Sequence, residues 1–312
     1  MSTPSPPRIE SLSPQTVTFE AIMPAAMAAR AEESGIKRAA LDPLACFVLS
    51  VLAGAFVAFG AIFATTVSAG TMTTIALDGS LVSSAALPYG IGRLLIGLTF
   101  CVGILAVIIA GAELFTGNNL VVMAWASRKV STRALLFNWA LVFFGNFVGA
   151  IFTAGLMYLT TQYTFGGGAV GLVALNTATA KASLSFLPAF TLGIMCNALV
   201  CLAVWMCFSA RTNIDRVVTA VPPIAAFAAA GFEHCVANVY FIPMGLFIKA
   251  GAPESFWKSV NKTAADFPDL TWSNFICNLV PVTAGNIVGG SLMVAAAYWF
   301  VYLRNGPADA IR

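Results

Sequence analysis

The chain contains a single histidine, His234, which stands beside Glu233 inside a long apolar stretch. An imidazole titrates near neutral pH, so it can donate either a hydrogen bond or a proton. Ionisable side chains in such stretches usually face protein or a water-filled cavity, because burying them in lipid is costly. We therefore expect His234 to line an internal path. The alternative is a structural imidazole that ties two helices together.

Further uncharged polar side chains interrupt other apolar stretches. Thr116 is a candidate to place its hydroxyl on the same path, opposite His234. Asn197 and Asn286 are amides within such apolar stretches, and if the path carries an anion they would suit its guidance better than acids would. Hydrogen bonding between helices is the alternative role for these amides.

Two glutamates, Glu113 and Glu233, would repel an anion directly. We therefore expect their carboxylates to accept hydrogen bonds from freed backbone N–H groups or from nearby helix ends. Lys181 precedes an apolar stretch, where it would raise the local concentration of anions unless it is an ordinary solvated loop lysine. Four apolar side chains are candidates for constrictions, with simple packing as the alternative: Phe100, Ile104, Leu114 and Phe227.

The elements that must position these residues are membrane helices. Of 312 residues, 59% are hydrophobic and 9% are charged, whereas a soluble chain has roughly 25% charged residues. A membrane-spanning helix needs about 20 mainly apolar residues, and a β-barrel would show short alternating segments instead. Six runs are long enough, near 44–69, 94–126, 134–160, 186–208, 217–248 and 272–303.

Two sequence patterns occur twice, in the same order. G-x-E-x4-N is found at 111–118 and 231–238, and N-x6-G-N-x-V-G at 138–149 and 278–289. Three spans per copy make the second copy enter the bilayer from the opposite side, which is an inverted repeat. Glycine and polar residues interrupt spans two and five, and broken backbone is tolerated where it lines a cavity. We therefore predict an all-α membrane protein in which helices two and five are broken beside an internal path.

The distribution of charge indicates the topology. An even number of spans puts both termini on one side, and that side collects eleven of the sixteen Lys and Arg residues. Cytoplasmic loops are enriched in Lys and Arg, so both termini are predicted to be cytoplasmic. The net charge of +3 does not indicate nucleic acid. The seven cysteines form no CxxC pair, so no disulfide, metal site or cofactor is predicted.

The termini have compositions of their own. Residues 1–18 are rich in Ser, Thr and Pro and lack the apolar core of a signal peptide, which predicts a flexible tail. Residues 19–40 predict an amphipathic helix at the cytoplasmic interface, with a regulatory plug as the alternative. Residues 41–304 form the predicted six-helix transport domain, and 305–312 a short C-terminal tail.

Four segments of the chain resemble the formate–nitrite transporters, and most closely the bacterial formate channels. They are residues 110–117, 193–203, 231–234 with Asn238 and Pro243, and 281–290. The resemblance covers roughly residues 20–304. It departs from the family pattern in a longer N-terminal tail, a longer loop near 71–90, and an isoleucine at 104 where leucine is typical.

The resemblance implies an aquaporin-like fold, a homopentamer with one pore per protomer, and a bacterial inner membrane. It implies that Thr116 and His234 are the central polar pair, and that Leu114 and Phe227 form the cytoplasmic constriction. Phe100 would form the periplasmic constriction, with Ile104 as a lining position. The implied anion-guiding network is Lys181, Asn197, Glu233 and Asn286.

The expected function is a channel for formate and similar small monovalent weak-acid anions, with proton-linked passage of the neutral acid. The alternative substrates are nitrite, hydrosulfide, lactate and acetate. A membrane enzyme would need an acid–base or metal cluster, and one histidine and two intramembrane glutamates provide few side chains for such a cluster. A neutral-solute channel of the aquaporin type would be expected to carry an NPA-like pair in its broken spans, and neither break has one.

Overall fold

The computed structural model describes residues 20–69, 74–75, 81–83 and 88–305. The predicted tail at 1–18, nearly all of the predicted tail at 305–312 and most of the long loop near 71–90 lie outside these residues. The helices are α1 (Pro24–Ala39), α2 (Pro43–Ala69), α3 (Tyr89–Ala110), α4 (Val122–Ala126), α5 (Thr132–Leu159), α6 (Ala169–Ala182), α7 (Phe186–Cys207), α8 (Asn213–Ala230), α9 (Cys235–Gly251), α10 (Glu254–Ser259), α11 (Trp272–Val288) and α12 (Ala297–Tyr302).

Shorter elements complete the described chain. Strands β1 (Thr74–Ile75) and β2 (Leu81–Ser83) pair antiparallel. Three 3-10 helices lie at Gly117–Val121, Gln162–Thr164 and Ala264–Asp266. A π-helical segment, Gly289–Ala296, joins α11 to α12 in one continuous helix of 31 residues.

The membrane-spanning elements agree with the prediction of six spans. Five helices are long and apolar enough to cross a bilayer: α2, α3, α5, α7 and the continuous 272–302 helix. The sixth span is the pair α8 and α9, which meet at an angle of 46° across a four-residue break. The second span is broken as predicted, because α3 ends at Ala110 and only short helices follow the break.

Both breaks begin at a glycine with a left-handed backbone. Gly111 follows α3 with φ 78°, and Gly231 follows α8 with φ 80°. Residues other than glycine rarely adopt such backbone angles, so a glycine at this position favours the end of each helix. The second break is shorter than predicted, since helix resumes at Cys235 and Asn238 is helical.

The helices pack as two equivalent halves. Helix α2 contacts α3 and α5 in the first half, and α7 contacts α8 and α11 in the second, while α3 and α8 meet between the halves. The duplicated glycines permit close packing within each half. A Cβ atom on Gly149 would overlap the Val51 carbonyl, and one on Gly289 would overlap the Ile194 carbonyl. The inverted-repeat fold with broken second and fifth spans is therefore confirmed.

Each half also begins with a helix that is too short to be a span. Helix α6 occupies part of a segment that the sequence indicated as a loop, and its position before α7 matches that of α1 before α2. Helix α1 buries Met27 and Ala31 in a cluster with Val121 and Met123. The apolar side of α1 thus packs on the chain that follows the first break.

Candidate functional site: a polar centre between two cavities

The two breaks meet at Thr116 and His234. The Oγ1 atom of Thr116 lies 3.1 Å from the Nε2 atom of His234, and both side chains are buried. Each residue directly precedes a helix: Thr116 the 3-10 helix that begins at Gly117, and His234 the helix α9. The expected opposition of a hydroxyl and an imidazole is present in the structure.

Hydrogen bonding assigns the tautomer of His234. Its Nδ1 atom accepts from the backbone N–H of Ala237 at 3.2 Å, so Nδ1 caps the first turn of α9. A neutral imidazole with Nδ1 as acceptor carries its proton on Nε2. The Nε2–H group therefore donates to Thr116 Oγ1.

A cavity of about 360 Å³ lies on one side of this pair. We call it the Lys181 cavity. Its wall includes Lys181, Glu233 and His234 together with the rings of Phe100 and Phe227. The two phenyl rings meet edge to face with centroids 5.6 Å apart. The cavity is thus lined by charged groups and by an aromatic pair beside the imidazole.

A second cavity, of about 180 Å³, has different walls. We call it the Arg38 cavity. It is lined by Arg38, Ile104 and Leu114, and by Gly117, which follows Thr116. Thr116 and His234 therefore stand between the two cavities, and each cavity has its own apolar side chains.

The predicted constriction residues are all buried and belong to one apolar cluster. Phe100 and Phe227 line the Lys181 cavity, and Ile104 and Leu114 line the Arg38 cavity. Phe227 lies near the end of α8, and Leu114 follows the break after α3. The grouping of Leu114 and Phe227 as one constriction stays a prediction.

A hydrogen-bonded cluster surrounds Glu233. Its carboxylate accepts from Lys181 Nζ at 2.6 Å and from Asn238 Nδ2 at 2.6 Å. Asn238 Nδ2 also donates to Asn278 Oδ1 at 2.8 Å, and Asn278 Nδ2 donates to the Lys181 carbonyl at 2.8 Å. Glu233 is thus balanced by a lysine and an amide, rather than by the backbone N–H groups that the sequence suggested.

The first half contains an equivalent cluster around Glu113. Its carboxylate accepts from Asn118 Nδ2 at 2.7 Å and lies 3.6 Å from the Arg38 guanidinium, which also donates to Asn118 Oδ1. Asn118 Nδ2 donates to Asn138 Oδ1 at 3.0 Å, and Asn138 Nδ2 donates to the Arg38 carbonyl at 3.1 Å. Arg38 therefore corresponds to Lys181 in the inverted repeat.

The duplicated asparagines Asn146 and Asn286 hold the two breaks. Asn286 donates to the carbonyls of Gly193 and Glu233 at 2.8 and 2.9 Å, and it accepts from the Cys235 N–H at 2.9 Å. Asn146 makes the same three bonds in the first half, with the Ser50 carbonyl, the Glu113 carbonyl and the Phe115 N–H. These amides satisfy backbone groups that a broken helix leaves without partners.

Asn197 lies beside the first break. Its Nδ2 atom is 2.7 Å from the Asn286 carbonyl and 3.3 Å from the Thr116 carbonyl. The Cys201 thiol donates to the same Thr116 carbonyl at 3.2 Å. Neither Asn197 nor Asn286 lines the two cavities, and both amides instead donate to backbone carbonyls at the breaks.

Comparison with known proteins agrees with this architecture. The model of the formate/nitrite transporter family matches residues 25–300. The chain belongs to the formate/nitrite transporter family. The resemblance found in the sequence is thereby confirmed.

Relatives of this transporter match over nearly its whole length. Formate channel FocA of Escherichia coli strain K12 is 42% identical over 287 residues, which cover 92% of this chain and 96% of the relative. Formate channel FocA of Haemophilus influenzae is 37% identical over 281 residues, which cover 90% and 94%.

Solved structures show the same fold as this transporter. A structure described as a pentameric formate channel with formate bound is 43% identical, with a TM-score of 0.76, covering 84% of this chain and 98% of that chain. A structure described as an FNT family ion channel is 26% identical, with a TM-score of 0.70, covering 88% and 98%.

Several residues of the transporter's site were not predicted from the sequence. In the sequence, Arg38 is only one of the eleven basic residues that indicate the topology. The half of the repeat that contains Arg38 nevertheless has a glutamate and asparagines at positions equivalent to those in the half that contains Lys181. Aligning the two halves beyond their broken spans, back to α1 and α6, would have exposed this correspondence. Cys201 gave no comparable signal, because its role depends on a backbone carbonyl freed in another helix.

Proposed function

We propose that this transporter is a channel through which formate and similar small monovalent weak-acid anions cross the membrane. One observation carries the proposal. A buried hydroxyl and an imidazole meet at 3.1 Å between two cavities, at the junction of two broken helices. Relatives with the same fold are named as formate channels.

The charges and helix ends suit a small anion. Lys181 lines one cavity and Arg38 the other. Helix α9 begins directly after His234, and the amino end of a helix carries a partial positive charge. The Nε2–H group of His234 and the hydroxyl of Thr116 are donors placed at the centre. An anion in either cavity therefore meets hydrogen-bond donors at the narrow point.

Passage beyond the apolar rings favours the neutral acid. Moving a bare carboxylate into an apolar environment costs, in the idealised limit, on the order of 20 kcal/mol, and several kcal/mol after relaxation. Protonating a carboxylate of pKa near 4 at pH 7 costs roughly 4 kcal/mol. We infer that the solute takes up a proton from the water on the side from which it enters, passes Phe100 and Phe227, and Leu114 and Ile104, as the neutral acid, and returns the proton to the water on the far side.

The network residues have distinct roles in this proposal. Glu233 and Lys181 face a cavity as an ion pair, in which Lys181 neutralises the carboxylate that would otherwise repel the solute. Asn197 and Asn286 act by holding the backbone around Thr116 and His234. His234 polarises the solute through Nε2–H, which its tautomer supports. The alternative, transfer of a proton, needs the imidazolium form, in which Nδ1 is also protonated and no longer accepts from Ala237.

We also infer the cellular arrangement. The transporter forms a homopentamer in the bacterial inner membrane, with both termini in the cytoplasm. A structural relative is described as a pentameric channel, and eleven of sixteen basic residues fall on the side of the termini. Mass measurement in detergent and accessibility of terminal tags would test these two statements.

The direct test measures anion flux in proteoliposomes with the pH clamped on both sides. We expect saturable formate uptake that rises as the pH falls and that does not need a membrane voltage. Competition by nitrite, hydrosulfide, lactate and acetate ranks the alternative substrates. Absence of uptake for every one of these anions would contradict the proposed function.

A further inference from the structure

The two cavities share an imbalance of charge. The Lys, Arg, Asp and Glu residues that line the Lys181 cavity are Lys181, Arg93 and Glu233. Those that line the Arg38 cavity are Arg38 and Arg216, and Arg38 pairs with Glu113. Each cavity therefore has two cations for one carboxylate, which leaves one net positive charge.

The carboxylates are already paired with one cation each. Glu233 Oε1 lies 2.6 Å from Lys181 Nζ, and Glu113 Oε2 lies 3.6 Å from the Arg38 guanidinium. Neither Arg93 nor Arg216 has a carboxylate oxygen within 4.0 Å in the part of the chain that the structure describes. A charge that is paired at short range contributes little field at a distance, so the unpaired guanidinium groups set the potential of each cavity.

Arg93 is held at the broken end of α8. Its Nε atom donates to the Ala229 carbonyl at 2.6 Å, and its Nη2 atom donates to the Ala228 carbonyl at 2.8 Å. These carbonyls belong to the last turn of α8, where the break removes their helical partners. A guanidinium has five N–H donors, so three are left for a solute in the cavity. The break therefore fixes a cation at this mouth of the path.

Arg216 is freer than Arg93. It lies in the first turn of α8 and is partly buried. The carboxylate of its neighbour Asp215 accepts from the backbone N–H groups of Arg211 and Thr212, in a capping arrangement. That carboxylate therefore binds backbone N–H groups at the start of α8 rather than the Arg216 guanidinium.

The two guanidinium groups occupy similar places in the inverted repeat. Arg93 lies near the start of α3 and Arg216 near the start of α8, and these helices are the second spans of their halves. The halves enter the bilayer from opposite sides. One unpaired guanidinium therefore stands at each mouth.

We propose that Arg93 and Arg216 are the charges that concentrate the permeating anion, one at each mouth, while Lys181 and Arg38 chiefly neutralise the buried glutamates. This inference rests on the proposed function. One net charge about 7 Å from an anion raises the local anion concentration about threefold in water, and more where apolar walls focus the field. Salt screens this attraction, because the Debye length shrinks from about 30 Å at 0.01 M to about 3 Å at 1 M.

The test compares variants of the full-length protein in proteoliposomes, with formate uptake measured at about 0.01 M and about 1 M ionic strength. We expect Arg216→Gln and Arg93→Gln to lower uptake about three- to tenfold at low ionic strength, and the deficit to vanish at high ionic strength. Arg216→Lys should match the wild type, and Arg216→Glu should fall below Arg216→Gln. Arg133 is exposed and lines neither cavity, so Arg133→Gln controls for net charge and should leave uptake unchanged.

Folding defects are distinguishable from loss of attraction. Arg93 also caps α8, so Arg93→Gln can reduce the amount of folded protein, but that loss would be independent of salt. Arg216 makes no such cap, which makes its variants the decisive ones. Uptake of all Arg216 variants equal to the wild type at low ionic strength, or a deficit that salt does not change, would overturn the inference. Absence of formate uptake in the wild type would instead contradict the proposed function.

Discussion

The Nε2 atom of His234 lies 3.1 Å from the Oγ1 atom of Thr116, although 118 positions separate the two residues in the chain. The contact exists because each residue lies at the end of a break that begins at a left-handed glycine, Gly111 or Gly231. The donors at the centre are therefore products of the inverted repeat. Their position between two cavities makes them the first target for mutation.

Replacing His234 by Asn should change how formate uptake depends on pH. An Asn side chain can accept from the Ala237 N–H as the imidazole does, so the start of α9 is kept. The shorter amide does not reproduce the imidazole's bond to Thr116. Uptake in pH-clamped proteoliposomes checks this expectation, and an unaltered pH profile would eliminate a proton relay through His234.

Replacing Thr116 by Val is the matched change on the opposite side. It removes the hydroxyl and keeps His234. We expect formate uptake to fall about tenfold, because a tenfold change in rate corresponds to the free energy of roughly one hydrogen bond. The pH profile should be that of the wild type. The same flux assay measures it. A wild-type rate would show that the hydroxyl does not contact the solute.

Removing Lys181 should destabilise the fold more than removing Arg38. The Lys181 side chain is 15% exposed and lies 2.6 Å from Glu233, whereas the Arg38 side chain is 29% exposed and lies 3.6 Å from Glu113. Breaking a buried ion pair costs about 3–5 kcal/mol, so we expect a loss near that range for Lys181→Ala and a smaller one for Arg38→Ala. Thermal unfolding in detergent measures both.

A double variant separates the ion pair from other effects of Lys181. Lys181→Ala combined with Glu233→Gln removes both charges and should recover most of the lost stability, because no unpaired charge stays buried. If the double variant were as unstable as Lys181→Ala alone, the ion pair would not be the cause of the loss.

Asn146→Ala and Asn286→Ala should have similar effects. Each removes an amide that makes three hydrogen bonds to backbone groups at a break. Leaving a buried backbone group without a partner costs about 1–3 kcal/mol, so we expect a lower unfolding temperature and reduced formate uptake in both. Equal loss of stability with normal uptake in one of them would show that its break does not shape the path.

Gly111→Ala should lose stability through its backbone alone. Gly111 has φ 78° and open space where a Cβ would lie, so the expected cost is about 1–2 kcal/mol. Gly231→Ala should lose more, since its Cβ would also lie 2.9 Å from the Arg93 guanidinium. Gly90, which also has open space, is helical, so Gly90→Ala is a neutral control. If thermal unfolding gave the same unfolding temperature for Gly111→Ala and Gly90→Ala, this account would be contradicted.

The amino-acid sequence by itself determined the class of the protein, the six spans and the two breaks. These features are local, since long apolar runs, glycines and polar interruptions act on the residues around them. The duplicated G-x-E-x4-N pattern also identified Glu113 and Glu233 as equivalent. Helix α6 escaped prediction because its 14 residues are too few to span a bilayer and lie between two longer apolar runs.

Only the tertiary structure decided the partners of these residues. Glu113 pairs with Arg38, 75 positions away, and the Phe227 ring meets the Phe100 ring edge to face. The same holds for Asn286, whose amide binds backbone instead of facing a cavity. Such contacts depend on how α3 and α8 meet between the halves, and packing between distant helices leaves no periodic trace in either segment.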